Sequence, residues 1–275
     1  MKHLLLLFAF ASAFTAQAFP PAPFHKIYGV LRDERGNPLG SGAGIVILSG
    51  AGNQEIVRAP SDAAVGPGLN YSLSVPMDAA TTPELYTVTA LRPSLPFTIR
   101  VVRNNVSFVP IQMVGANWTI GQPGGMTRLD LTLGIDSDGD GLPDAWEQDL
   151  INSDTTGRFN SLADVRPGDD ADGDGLSNLF EYIAGTYALE RVDGLTLKIM
   201  GVANGQARMQ FMGVTGRTYH IKASASLDSF TIQPFSTDPA GTNPSSYFRA
   251  ADVRMIDVYV PVGSSPAGFF RLYAE

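Results

Sequence analysis

The sequence predicts a mainly β protein, with two sandwich-like domains joined by a short loop–helix segment. Three observations predict it. Short runs alternate apolar and polar residues at a period of two, the pattern of half-buried strands. The 275 residues include 29 Gly and 19 Pro, enough turn-formers to break the chain into many short elements. The charge is also unevenly placed. Residues 136–181 hold thirteen carboxylates against only Arg158 and Arg166, a net of −11, whereas residues 19–135 and 182–275 are each close to neutral.

Residues 1–18 read as a signal peptide. Lys2 supplies the positive start, Leu4 to Ala16 the apolar stretch, and Ala16-Gln17-Ala18 the small-x-small cleavage site. The stretch is shorter than the roughly 20 residues that span a bilayer, and no longer apolar run follows. A mature chain without a transmembrane span, exported after cleavage at Ala18, is expected to be secreted, on the cell surface or periplasmic. The chain has no cysteine, which excludes disulfide frameworks, thiol catalysis, zinc–thiolate sites and acylated-Cys anchoring. A formal charge of −8 excludes nucleic acid as an expected partner.

Residues 19–134 form the first expected domain. Strands are predicted at Ile27–Leu31, Ile45–Leu48, Tyr71–Val75, Leu85–Thr89, Phe97–Val102, Phe108–Val114 and Leu129–Leu133, separated by turns such as Asp33-Glu34-Arg35-Gly36-Asn37-Pro38. The motifs Tyr28-Gly29-Val30-Leu31-Arg32-Asp33, Gly36-Asn37-Pro38-Leu39 and Asn70-Tyr71-Ser72-Leu73 resemble carboxypeptidase-regulatory-like, transthyretin-like and Cna-B-like bacterial modules. That resemblance implies an antiparallel sandwich and no particular activity. Residues 188–275 form the second expected domain, with strands predicted at Leu195–Val202, Ala207–Met212, Arg217–Ala223, Met255–Val260 and Gly268–Tyr273. Its Gly216-to-Leu227 run and terminal Gly268-Phe269-Phe270-Arg271-Leu272 resemble a small β domain that ends many bacterial exported proteins.

The middle segment, residues 135–187, carries the chemistry. Asp136-Ser137-Asp138-Gly139-Asp140-Gly141-Leu142-Pro143-Asp144-Ala145-Trp146-Glu147 places carboxylates at loop positions 1, 3, 5, 9 and 12, with Gly at 6. Asp170-Ala171-Asp172-Gly173-Asp174-Gly175-Leu176-Ser177-Asn178-Leu179-Phe180-Glu181 repeats the pattern, with Asn at position 9. Calcium takes six to eight oxygen ligands, and this spacing supplies them from one tight loop. The expected ligands are Asp136, Asp138, Asp140, the Leu142 carbonyl, Asp144 and Glu147 for one ion. Asp170, Asp172, Asp174, the Leu176 carbonyl, Asn178 and Glu181 are expected to hold a second. One such run is an ordinary solvated acidic loop as readily as a site; two copies in register point to about two Ca²⁺ ions.

Exit helices are predicted from Asp144 and from Asn178, with Trp146, Leu150, Phe180 and Ile183 as apolar contacts and Asp144 and Asn178 suited to capping. No helix leads into either loop, and Pro143 and Ser177 replace the apolar residue that pairs EF-hand loops. A calmodulin-like switch is therefore not expected. The stretches Asp138–Glu147 and Asp172–Tyr182 resemble bacterial thrombospondin type 3 repeats and, more distantly, dockerin loops. The resemblance implies a structural calcium segment in a secreted or surface protein. The 34-residue offset between the loops and Tyr187-Ala188 after the second depart from the dockerin pattern.

No catalytic residue is expected. The chain lacks a Gly-x-Ser-x-Gly elbow, a His-Glu-x-x-His zinc motif and a phosphate-binding glycine loop. His25 and His220 are read as solvent-facing strand residues, Trp118 and Tyr86 as core aromatics rather than a sugar-binding face, and Arg92, Arg100 and Arg103 as a solvated basic edge. Two functions stay open: a non-enzymatic exported protein whose stiffened segment presents two β modules to matrix, protein or polysaccharide, and a dockerin-like interaction module. A hydrolase stabilised by calcium is a third.

Overall fold

A computed structural model describes residues 21–262 and 268–275. The expected signal peptide lies outside the described residues. The fold is mainly β, with two α-helices, α1 (Asp144–Ser153) and α2 (Asn178–Ala184), among the described residues.

In the N-terminal part, one sheet runs Tyr71–Met77, Ala22–Gly29, Met126–Arg128; its first pair is antiparallel and its second parallel. The other large one runs Glu55–Pro60, Ile45–Ser49, Thr98–Arg103, Val106–Phe108, all antiparallel, and Leu31–Arg32 pairs in parallel with Leu131–Thr132 as a third, two-stranded sheet. The alternation seen in sequence fills the space between the first two: Ile27, Leu73 and Val75 from one sheet and Val46, Leu48, Ile99 and Val101 from the other are buried together. Asn70 is wholly buried among them. Its Oδ1 accepts from Leu31 N, and its Nδ2 donates to the carbonyls of Leu31 and Leu39. These bonds satisfy backbone groups at the point where two strands part.

Two expected strands do not form. Residues 85–89 are a loop, because Asp78 draws this stretch out of any ladder. Its carboxylate accepts from Ala80 N (2.7 Å), Tyr86 N (2.9 Å) and Arg92 Nε (3.1 Å), while Arg92 Nη2 donates to the Thr82 and Glu84 carbonyls. Arg92 is thus a structural clamp rather than part of a solvated edge, and Tyr86 is 38% exposed rather than core. The run from Phe108 to Val114 stops at Phe108. Pro110 has no N–H to give a ladder, and Ile111–Met113 turn as a 3₁₀ helix. The strand Glu55–Pro60 was not legible in sequence, since an edge strand carrying Glu55, Arg58 and Pro60 lacks a clean apolar face.

The C-terminal part holds a sheet of Lys198–Ala203, Gln206–Gly213 and Arg254–Pro261, antiparallel throughout. A second sheet forms around Thr218–Ser224, paired with Thr231–Ile232, Phe248–Arg249 and Phe269–Ala274. Met209, Phe211, Val258 and Val260 meet Tyr219, Ile221 and Phe235 in its core.

Neither histidine faces solvent freely. His25 is 3% exposed; its Nδ1 donates to the Gln122 carbonyl (2.8 Å) and its Nε2 bonds the Thr127 hydroxyl (2.9 Å). Gly121 and Gly125 lie close against the ring, where a Cβ would meet it. His220 Nδ1 donates to the Ser246 carbonyl (2.8 Å), and its side chain is 11% exposed. Sequence alternation missed both because the covering segments come from distant parts of the chain.

Candidate metal centre

The two acidic loops adopt the same conformation. Gly139 and Gly141 have φ of 78° and 98°; Gly173 and Gly175 have 79° and 100°. This left-handed backbone is open to glycine at little cost and curls each loop tightly. The hydrogen bonds repeat as well. Asp136 Oδ1 accepts from Gly139 N and Asp140 N and its Oδ2 from Gly141 N; Asp170 does the same for Gly173, Asp174 and Gly175. Leu142 N and Leu176 N then donate to Asp140 Oδ1 and Asp174 Oδ1. The opening Asp thus organises its loop through backbone amides before any cation is considered.

Three carboxylates converge in each loop. Oxygens of Asp136, Asp138 and Asp140 lie within 4.8 Å of one another, as do those of Asp170, Asp172 and Asp174. Like charges at that separation repel and call for a counter-charge. Protein cations do not provide it. The only ion pair made by residues 136–181, among the described residues, is Arg35 with Asp149 on the exposed side of α1 (2.8 Å), while Arg158 donates to the Ala171 carbonyl instead.

Glu147 and Glu181 arrive at position 12 from the helices, as expected, and both are fully buried. Both Glu147 oxygens lack a hydrogen-bond partner, as does Glu181 Oε2. Burial, with the nearby charges of Asp138 and Asp140, pushes the Glu147 carboxyl up to about 8. Burial and the charges of Asp172 and Asp174 do the same to Glu181, also to about 8. Asp140 and Asp172 are raised too, chiefly by burial, whereas Asp170, bonded to three amides, is lowered. A buried carboxylate without a partner is costly unless a proton or a cation compensates it. Among the orphaned oxygens, Asp172 Oδ2 and Asn178 Oδ1 are the others in these loops. The donors are all oxygens, with no imidazole or thiolate in either loop, which fits a hard divalent cation.

Position 9 differs between the loops. Asn178 Nδ2 donates to the Arg166 carbonyl, leaving its buried Oδ1 free. Asp144 turns back and accepts from Ser137 N (2.7 Å) and Ser137 Oγ (2.6 Å). Neither residue caps its helix. Pro143 and Ser177 occupy those places, and Ser177 Oγ accepts from Phe180 N.

The helices pack inward around a small core of their own. Leu142, Trp146, Leu150, Phe159, Val165 and Tyr182 are buried together, with Trp146 edge-on to Tyr182 at 5.6 Å. Phe180 turns instead to the C-terminal core and Ile183 to this one. Among the described residues no α-helix leads directly into either loop: the strand Leu131–Thr132 lies before the first, and a single 3₁₀ turn at Leu162–Asp164 before the second. Gly194 was not marked by any sequence signal. A Cβ there would collide with the end of the Asp174 carboxylate, so the chain passing over the second loop lies close against this side chain. Gly194→Ala is expected to displace the flexible Asp174 carboxylate and leave the fold intact. Cation affinity of the second loop should fall about tenfold, the effect typical of disturbing a ligand's support, with the first loop unchanged; calorimetric titration resolves the two.

No family model, curated protein or solved structure matches the chain.

Proposed function

We propose that the chain is an exported, non-enzymatic calcium-binding protein. Its acidic segment holds two Ca²⁺ and fixes two β modules for contact with an extracellular protein, matrix or polysaccharide. The observation that carries this reading is the pair of buried position-12 glutamates, Glu147 with neither oxygen and Glu181 with only Oε1 hydrogen-bonded, each beside three converging aspartates in a loop of repeated conformation. When bound, calcium would supply the positive charge these oxygens lack, and its tolerance of irregular seven- or eight-fold oxygen shells suits such loops better than octahedral Mg²⁺ does. Asp136, Asp138, Asp140 and Glu147 would hold one ion, with the Leu142 carbonyl. Asp170, Asp172, Asp174, Asn178 and Glu181 would hold the other, with the Leu176 carbonyl.

The chain's own residues perform the remaining tasks. Asp136 and Asp170 orient the loop amides, and Leu142 anchors the first loop in the small core. Inward packing of Trp146, Leu150 and Tyr182 favours a scaffold over a dockerin-like module, which would present its paired helices outward. No helix among the described residues is long and apolar enough to cross a membrane.

The test is calorimetric titration of the chain with Ca²⁺ and then Mg²⁺. Two Ca²⁺ sites are expected, with dissociation constants of about 10⁻⁴ to 10⁻³ M, the range of extracellular modules, and much weaker Mg²⁺ binding. Absence of Ca²⁺ binding at millimolar concentration overturns the reading.

A further inference from the structure

The second loop and its helix sit against both β parts, and one side chain touches all three. Arg217 extends from the C-terminal part and is 1% exposed. Its Nε donates to the Ile183 carbonyl in the last turn of α2 (3.1 Å), and its Nη1 donates to Asn37 Oδ1 in the N-terminal turn (3.3 Å). Gly185, which ends α2, lies flat against the guanidinium; a Cβ there would meet Nη2 at 2.8 Å. From the other side, Tyr182, next to Glu181, donates its hydroxyl proton to the Asp33 carbonyl (3.1 Å). Gly36 closes on the same helix, since a Cβ there would lie 2.6 Å from the Tyr182 carbonyl oxygen.

The β parts also touch directly. Gly68 N donates to Thr218 Oγ1 (2.9 Å), Arg249 Nη1 donates to the Ala63 carbonyl (2.6 Å), and Arg128 pairs with Glu275 (3.2 Å). Among the described residues no side chain joins the first loop's helix to both β parts in this way. That helix meets the N-terminal part through the exposed Arg35–Asp149 pair, and an exposed pair contributes little.

We propose that Arg217 is a positioning residue that makes docking of the two β parts and cation binding in the second loop one equilibrium, while the first loop, linked to this junction only through the small core where Trp146 meets Tyr182, follows more weakly. The proposal rests on the calcium reading above. Filling the second loop fixes Glu181 and with it the helix that Tyr182 and Arg217 grip. Releasing that grip frees the helix and weakens the loop, because coupling between two sites is reciprocal.

The experiment titrates the full chain with Ca²⁺ by calorimetry and records its radius of gyration by X-ray scattering in chelator and in millimolar Ca²⁺. Wild type, Arg217→Met and Asn37→Ala are compared; the last changes an exposed side chain and guards against a misfolded arginine variant. Affinity of one site is expected to fall about tenfold in Arg217→Met and about threefold in Asn37→Ala, within the span of common coupling energies. The other site should change by less than the first in each variant. The wild-type radius should shrink with Ca²⁺, and that change should be reduced in both variants. A purely structural role for Arg217 would lower both affinities together or neither. Two wild-type sites with unaltered affinities in both variants, or one radius in chelator and Ca²⁺, overturn the coupling alone. A wild-type chain that binds no Ca²⁺ overturns the calcium reading and the coupling with it.

Discussion

In chelator the chain is expected to unfold about 5–10 °C below its midpoint in 10 mM Ca²⁺, and Asp140→Ala with Asp174→Ala is expected to erase the difference. The size follows from linkage. At 10 mM an ion with a dissociation constant of about 1 mM stabilises the folded state by about 1.4 kcal/mol per site, about 2.8 kcal/mol for two, and each kcal/mol moves the midpoint of a chain this long by about 2–4 °C. The two aspartates suit the test because each sits within a carboxylate triad and each accepts from the amide two residues on. Alanine there removes a ligand oxygen and a loop bond together while leaving Glu147, Glu181 and the small core in place. In chelator the double variant should unfold within a few degrees of wild type, since removing one of several clustered negative charges offsets the lost hydrogen bond. Differential scanning calorimetry in both conditions decides it. Equal Ca²⁺ shifts for wild type and double variant would place the stabilising ions elsewhere.

The second large effect is in pH, and its sign depends on the metal. Without cation, the Glu147 and Glu181 carboxyls titrate near 8 in the folded chain against an ordinary value of 4.5. Between about 4.5 and about 8 the folded state therefore holds more protons than the unfolded one, so stability falls as pH rises through that window. Their contribution is fully present below 4.5 and lost above 8. Asp154, Asp164 and Asp78 act in the opposite direction, being lowered by hydrogen bonds. They stabilise above the ordinary Asp range, and their contribution is lost as pH falls below it. In chelator a stability maximum between these two limbs, near pH 5, is expected. With Ca²⁺ the upper limb should vanish, because the ion binds the ionised glutamates and displaces their protons. At pH 6.5 each ion should release about one proton, and affinity should rise by up to about tenfold per unit towards pH 8. Calorimetry in buffers of different ionisation enthalpy counts those protons. No proton release, together with pH-independent affinity from 6 to 8, would show that these glutamates do not face the ions.

Sequence legibility followed the range of the interactions involved. The strands with an apolar face in strict alternation, such as Tyr71–Met77 and Gln206–Gly213, are evident because burial on one face of a sheet has a period of two. The acidic loops are evident for a similar reason: Asp at alternate positions and Gly at the sixth position form a local motif. Their shared backbone and triads need only the twelve residues of each loop. The helices from Asp144 and Asn178 begin as expected because that start is also set within one turn.

What the sequence by itself determined is this set of local facts: a mainly β chain, a concentrated negative charge, two duplicated loops and their exit helices. Tertiary structure decided everything that depends on a partner far along the chain. It buried His25 beneath Gln122 and Thr127, and drew residues 85–89 into a loop around Asp78 and Arg92. It brought Gly194 against the Asp174 carboxylate, and it placed Arg217 between Asn37 and the end of α2. It also made Glu147 and Glu181 unusual, since the motif supplies a carboxylate but only packing removes its water and leaves both Glu147 oxygens and Glu181 Oε2 without partners. The physical reason is that periodicity and turn chemistry act over a few bonds and leave a mark at fixed spacing. Burial and close approach depend on which distant segments meet, and no spacing in the chain records that.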